Sequence, residues 1–139
     1  MNLVNPLGFS EDGRLTDLSL LLLRICFGGL MLVNHGMGKF YKLFGDDPIK
    51  FGDPLGIGME ASLGLAVFAE VLCAGLLVIG LFTRLAAVPL VITMAVAAFI
   101  VHGGDPLKKM EMAILYLIPY LVLLFNGAGR YSVDEYIEK

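Results

Sequence analysis

Apolar residues gather in four blocks separated by short stretches of polar residues, glycine and proline. The first block, 18–36, opens Leu-Ser-Leu-Leu-Leu-Leu and is broken by Arg24, Asn34 and His35. The second covers about 59–81 and carries Glu60 and Glu70; the third covers 85–102 and the fourth about 110–125. A helix that crosses the hydrocarbon core needs about 20 apolar residues, with about 17 as the short limit. The last two blocks are short, but Arg84, Lys108, Lys109 and Arg130 flank them with long basic side chains that can snorkel to the interface. Pro89 and Pro119 fall inside blocks three and four, which spanning helices tolerate when neighbours repair the lost bond.

The connections carry breaker signals. Segment 40–58 contains Gly-Asp-Asp-Pro, Gly-Asp-Pro and Gly-Ile-Gly and reads as an ordered loop. A tight hairpin follows at 81–84, Gly103-Gly104-Asp105-Pro106 makes another turn, and 126–129 ends the fourth helix. Ser132-x-x-Glu135 is a capping-box pattern for a short interfacial helix. The pattern therefore predicts one all-α domain over 1–139. It is an integral membrane four-helix bundle, antiparallel, with both termini on the same side. No basic region or small-residue cleavage site precedes the first block, so that block is expected to stay as the first helix rather than leave as a signal peptide.

Composition sharpens the class. Of 139 residues, 58% are hydrophobic and 17% charged, with mean hydropathy +0.82, against roughly half apolar and a quarter charged in soluble domains. A net charge of −3 gives nucleic acid no electrostatic footprint. Cys26 and Cys73 form no CxxC pair, and no His-x3-His or His-x-His spacing exists, so a disulfide scaffold, a dithiol relay and a metal site are all unsupported. Basic residues divide evenly between the two predicted sides, so charge selects no orientation.

Ionisable residues inside a span cost about 3 kcal/mol or more and face the bundle interior by default. With a rise of about 1.5 Å per residue, Arg24 lies roughly 9 Å and Glu70 roughly 15 Å from the terminal side, within reach of each other. A buried Arg24–Glu70 ion pair is expected, as interhelical glue or as part of a site. At the opposite face His35, Lys39, His102 and Glu111, with Glu60, fall at helix ends that three reversals bring to one side. They form a candidate quinone or proton site, against the plainer reading of interface-level side chains satisfied by carbonyls and lipid phosphates. On a uniform helix Arg24 and His35 stand only about 20° apart in rotation, which suggests one polar seam along helix one. Cys26 and Cys73 come out at similar depths and read as inert packing residues.

Leu22-Leu23-Arg24, Gly28-Gly29-Leu30, His35-Gly36 and Lys39-Phe40 resemble the first-helix signature of the DoxX family of small prokaryotic membrane proteins. Glu70, the run from Gly75 through Thr83-Arg84 to Ala87, and Gly127-Ala128-Gly129-Arg130-Tyr131-Ser132-Val133-Asp134 resemble its second-helix, hairpin and C-terminal signatures. The resemblance implies a four-helix protein of the prokaryotic cell membrane, with Arg24, His35, Lys39, Glu70 and Arg84 as signature positions. It also implies kinship with the small subunit of a thiosulfate:quinone oxidoreductase and with membrane redox assemblies.

Three functions follow as expectations. The first is a small membrane subunit of a quinone-linked redox complex. Here quinone is the one cofactor implied, no cofactor is covalently bound, and partners carry the redox centre. The second is a non-catalytic anchor or assembly subunit. The third is a small-molecule or proton carrier, which a chain this small would build only by oligomerising. The expected partners are the lipid bilayer and either other membrane or redox proteins or further copies of the chain.

Overall fold

The computed structural model describes residues 13–139, which are helix and connecting turn, with no strand among the described residues. The helices are α1 (Arg14–Phe44), α2 (Met59–Ile79), α3 (Thr83–Val101), α4 (Leu107–Asn126) and the short α5 (Val133–Glu138). Three of them, α1, α2 and α3, at 31, 21 and 19 residues, are long and apolar enough to cross a membrane. Helix α4 has 20 residues but begins with Lys108, Lys109 and Glu111 in its first turns.

Helix α1 begins before and continues past the apolar block 18–36, because Met37–Phe44 holds good helix formers around a single Gly38. It stops where Gly45 turns extended (φ −81°, ψ 174°). The loop thus shrinks from the expected 40–58 to 45–58, and Lys39 is fixed on a helix face. Glycine decides how closely α1 and α2 approach. A Cβ on Gly36 would stand 2.4 Å from the Glu70 carbonyl oxygen, and one on Gly28 would stand 2.9 Å from Val78 Cγ2. These contacts set the register: Gly36 lies level with Glu70, and Gly28 with Ala74 and Val78.

The core between α1, α2, α3 and α4 is built from small and medium side chains: Ala74, Leu77, Ala87, Leu90 and Leu123 are fully buried. Tyr120 and Met31 fill the centre, and the Tyr120 hydroxyl donates to the Phe27 carbonyl at 2.9 Å, joining α4 to α1. Large apolar residues such as Leu22, Val33, Leu65, Ile92 and Ile118 point outward, as a helix surface facing lipid requires. Pro89 sits inside α3, and Thr93 Oγ1 donates back to its carbonyl at 2.7 Å.

Four stretches are wound as π-helix: Arg24–Gly28, Met31–Gly36, Phe68–Cys73 and Ala97–Val101. None contains proline. Each π-turn holds more residues than an α-turn, so rotation lags behind the uniform 100° per residue. The polar seam expected from the eleven-residue spacing therefore does not form as one stripe: Arg24 turns to the end of α2, and His35 turns to Tyr116 of α4.

Because the close approach at Gly36 is to backbone, a methyl group there has nowhere to go. Gly36→Ala is expected to lower thermal stability in detergent by about 1–3 kcal/mol, the usual cost of overpacking. Gly64→Ala and Gly75→Ala, whose added Cβ would meet nothing within 4 Å, should leave the melting temperature unchanged or raised.

Candidate functional site

Two polar centres occupy opposite ends of the helical layer. At the first, Arg24 is 1% exposed and reaches past the end of α2. One guanidinium nitrogen donates to the Val78 carbonyl at 3.3 Å, and the other donates to the Tyr131 carbonyl in the segment after α4. Carbonyls at a helix C-terminus carry partial negative charge and lack intrahelical donors, so a buried cation is well placed there. Gly80 (φ 74°) makes room for it, since a Cβ at that position would lie 2.2 Å from the Arg24 nitrogen.

The same knot holds the α2–α3 turn. Asp134 accepts from the backbone nitrogens of Phe82 at 2.6 Å and Thr83 at 2.9 Å, and its own nitrogen donates to the Gly80 carbonyl at 2.9 Å. This caps the start of α3 from a residue 51 positions away. It also stabilises Phe82 at φ 49°, an uncommon conformation for a side chain of that bulk. Ser132 accepts from Glu135 N at 3.3 Å and starts α5.

The second centre lies at the far end of α1. Lys39 Nζ and Glu70 Oε2 are 2.6 Å apart, with the Glu70 side chain 5% exposed. The pair forms the polar end of a cavity of about 220 Å³, whose other walls are mostly apolar: Leu65 and Ala66 of α2, Ile92 and Val96 of α3, and Phe51 and Leu55 of the loop. The loop wall is pinned by Asp53, whose carboxylate accepts from Ile57 N (2.9 Å), Gly58 N (2.9 Å) and Ser62 Oγ (3.0 Å). Those donors, the Gly58 amide first, hold the Asp53 carboxyl below the usual carboxylate range.

The expected Arg24–Glu70 ion pair is replaced by these two separate arrangements. Glu70 stands level with Gly36, about 18 Å along α1 from Arg24, which is too far for a side chain. The depth estimate measured both helices from their apolar ends; α1 in fact begins at Arg14, and glycine contacts rather than block boundaries set the register.

The five residues of the expected second group also separate, with Glu60 exposed in the first turn of α2. Lys39 joins Glu70. His35 packs edge-on against Tyr116 with ring centroids 5.6 Å apart. His102 Nδ1 meets Asp105 Oδ2 at 2.9 Å within its own turn, a local pairing that the Gly-Gly-Asp-Pro turn imposes. Glu111 is exposed near the start of α4. Arg84 is exposed beside Gly127 at the Arg24 end. Cys26 is exposed and Cys73 buried, both as free thiols, so similar depth does not bring them together.

Asp134, Asp53, Tyr116 and Tyr120 were invisible as site residues in the sequence. A helix cap supplied across 51 positions, or a tyrosine aimed at a carbonyl on another helix, leaves no local pattern. The Ser-Val-Asp ending was the one available signal for Asp134.

Apolar helices that enclose two buried charge centres define a helical membrane protein. The chain belongs to the DoxX family, whose family model matches residues 19–103. An uncharacterized protein of Haemophilus influenzae is 34% identical over 112 residues, covering 76% of this chain and 81% of the relative. An uncharacterized membrane protein of Mycobacterium tuberculosis is 29% identical over 134 residues, covering 80% of this chain and 77% of the relative. No solved structure matches the chain.

Replacing Arg24 by Met leaves the Val78 and Tyr131 carbonyls without this donor and removes the charge facing Asp134. A loss of about 2–4 kcal/mol is expected, together with protease sensitivity after Gly127, read by thermal melting and limited digestion. For Asp53 the sign is that of a depressed carboxyl. Its contribution is present above the unfolded value of about 3.9 and is lost as pH falls through the lower folded value. The Ile57 and Gly58 amide shifts should therefore titrate together with a midpoint below that reference; a midpoint at or above it would mean that the clasp does not hold.

Proposed function

We propose that the chain crosses the prokaryotic cell membrane four times, α4 included, with both termini on one side, and serves as a small membrane subunit of a quinone-linked redox complex. The observation that carries this reading is the Lys39–Glu70 pair at the polar end of an otherwise apolar cavity. The pair is neutral overall, so it favours a neutral polar head over an ion. About 220 Å³ falls below the roughly 300 Å³ at which drug-sized pockets begin, which suits a one- or two-ring head rather than a dinucleotide or haem.

In this reading the Lys39 ammonium donates a hydrogen bond to a quinone carbonyl, and Glu70 holds or releases the proton that accompanies electron transfer. A quinone supplies two-electron, two-proton chemistry when bound, and the electrons come from a partner protein. Leu65, Ile92 and Val101, each about half exposed, lie along the cavity wall and leave a path for a hydrocarbon tail into the lipid. His35, His102 and Glu111 stand outside this polar end, with separate surroundings.

A second reading, a non-catalytic anchor or assembly subunit, draws support from the Arg24 centre. There the buried charges are spent on the chain's own backbone.

Purified protein in nanodiscs should bind a tail-bearing benzoquinone or naphthoquinone saturably. Lys39→Met and Glu70→Gln should each weaken binding at least tenfold, with Glu111→Gln unchanged. Absence of saturable binding, or variants that bind like the parent, would leave the anchor reading in its place.

A further inference from the structure

Arg84 takes part in neither centre. It lines a cleft of about 630 Å³ at the Arg24 end, between the start of α3, the turn after α4, and α5. The side chain lies along Gly127 (φ 79°), where an added Cβ would stand 3.2 Å from Arg84 Nε. Among the described residues no carboxylate lies within ion-pair distance of it. Beside it the Thr83 hydroxyl, in a residue 1% exposed, has no hydrogen-bond partner.

The carboxylates around the cleft are of two kinds. Asp134 is engaged by the Phe82 and Thr83 nitrogens, and Asp17 accepts from Arg130 N at 3.0 Å, with Arg130 Nε a further 3.8 Å contact. Glu135 meets Lys139 only loosely, at 3.7 Å, and Glu138 has no ion-pair partner among the described residues. The cleft therefore offers one unpaired guanidinium, Arg84 on α3, a second, Arg130, that meets Asp17 only at 3.8 Å, and two weakly committed carboxylates on α5. A simple anion would be repelled by the carboxylates and a simple cation by Arg84. A ligand that carries both a phosphate and a primary ammonium is complementary to this mixed lining.

The setting points to where such a ligand comes from. The cleft sits at the ends of α1 and α3, both long enough to span. Its roof, α5, exposes Tyr136 (83%) and Ile137 (63%), the side chains of a short helix lying in the headgroup layer. Lipid headgroups reach this depth at far higher local concentration than any soluble phosphate.

We infer that the Arg84 cleft is a binding site for the headgroup of a zwitterionic aminophospholipid: Arg84 takes the phosphate, and Glu135 and Glu138 take the primary ammonium. The site is independent of the quinone reading and lies at the other end of the helices from Lys39. It gives the α2–α3 turn and α5 a shared lipid contact.

Native mass spectrometry of delipidated protein with added phosphatidylethanolamine, phosphatidylglycerol and phosphatidylcholine tests the assignment. Phosphatidylethanolamine should be retained at least tenfold more strongly than phosphatidylcholine, whose methylated ammonium cannot donate to carboxylates. Arg84→Met should cost at least tenfold in phosphatidylethanolamine binding with an unchanged melting temperature, and Arg84→Lys should recover part of the loss. The Glu135→Gln/Glu138→Gln double variant should erase the preference over phosphatidylglycerol while keeping phosphatidylglycerol bound. Equal retention of phosphatidylethanolamine and phosphatidylcholine, stronger retention of phosphatidylglycerol by the parent protein, or an Arg84→Met variant that binds like the parent would each overturn it. Displacement of the lipid by millimolar free phosphoethanolamine would overturn the lipid source.

Discussion

A guanidinium in an apolar helical layer must have its charge and its donors answered from within the chain, and Arg24 is answered by backbone. It bridges the last carbonyls of α2 and the segment that follows α4, so three parts of the chain far apart in sequence close on one side chain. The tight α2–α3 turn, with Gly80 and Phe82 both at positive φ, is held because Asp134 is delivered to it by that segment. Without the cation there would be little reason for the C-terminal residues to fold back over the helix ends. The cleft beside Arg84 would then lose its roof.

Glycine supplies the complementary constraint. The contacts at Gly28 and Gly36 bring the α1 and α2 backbones to a distance that no side chain permits, and so fix which residues are level. In lipid there is no hydrophobic drive between helices, so close packing of this sort does much of the work of association. The π-turns in the same stretches adjust the rotation of Arg24, His35 and Glu70 after the register is set. Irregular winding is absorbed where the helices press against each other, and the outward faces remain apolar.

The two polar centres consequently differ in kind. At the Arg24 end, charge is matched to fixed backbone dipoles, an arrangement suited to holding shape. At the Lys39 end, two side chains of opposite charge meet beside open space, with one wall made by a loop that Asp53 pins through three donors. A paired lysine and glutamate can exchange a proton with a ligand and relax afterwards; an arginine bound to carbonyls cannot. Under the proposed reading, chemistry sits at the second end and shape-holding at the first.

Much of this protein was legible in its sequence because lipid is an exacting solvent. Blocks of about twenty apolar residues, punctuated by Gly-Asp-Pro turns, can hardly be anything but helices in a membrane, and a charge within such a block has to face inward. That logic found Arg24 and Glu70, while the capping pattern found Ser132 and the glycine-proline breakers found the turns. It did not find the partners. Depth counted from block ends paired Arg24 with Glu70, whereas glycine contacts slid the register until Lys39 met Glu70. A uniform helix put Arg24 and His35 on one stripe, whereas the π-turns sent them to different neighbours. Composition and spacing determine which residues leave water together. Which of those residues touch is decided by backbone approach and helix rotation, which depend on both surfaces of every contact and leave no mark in either segment alone.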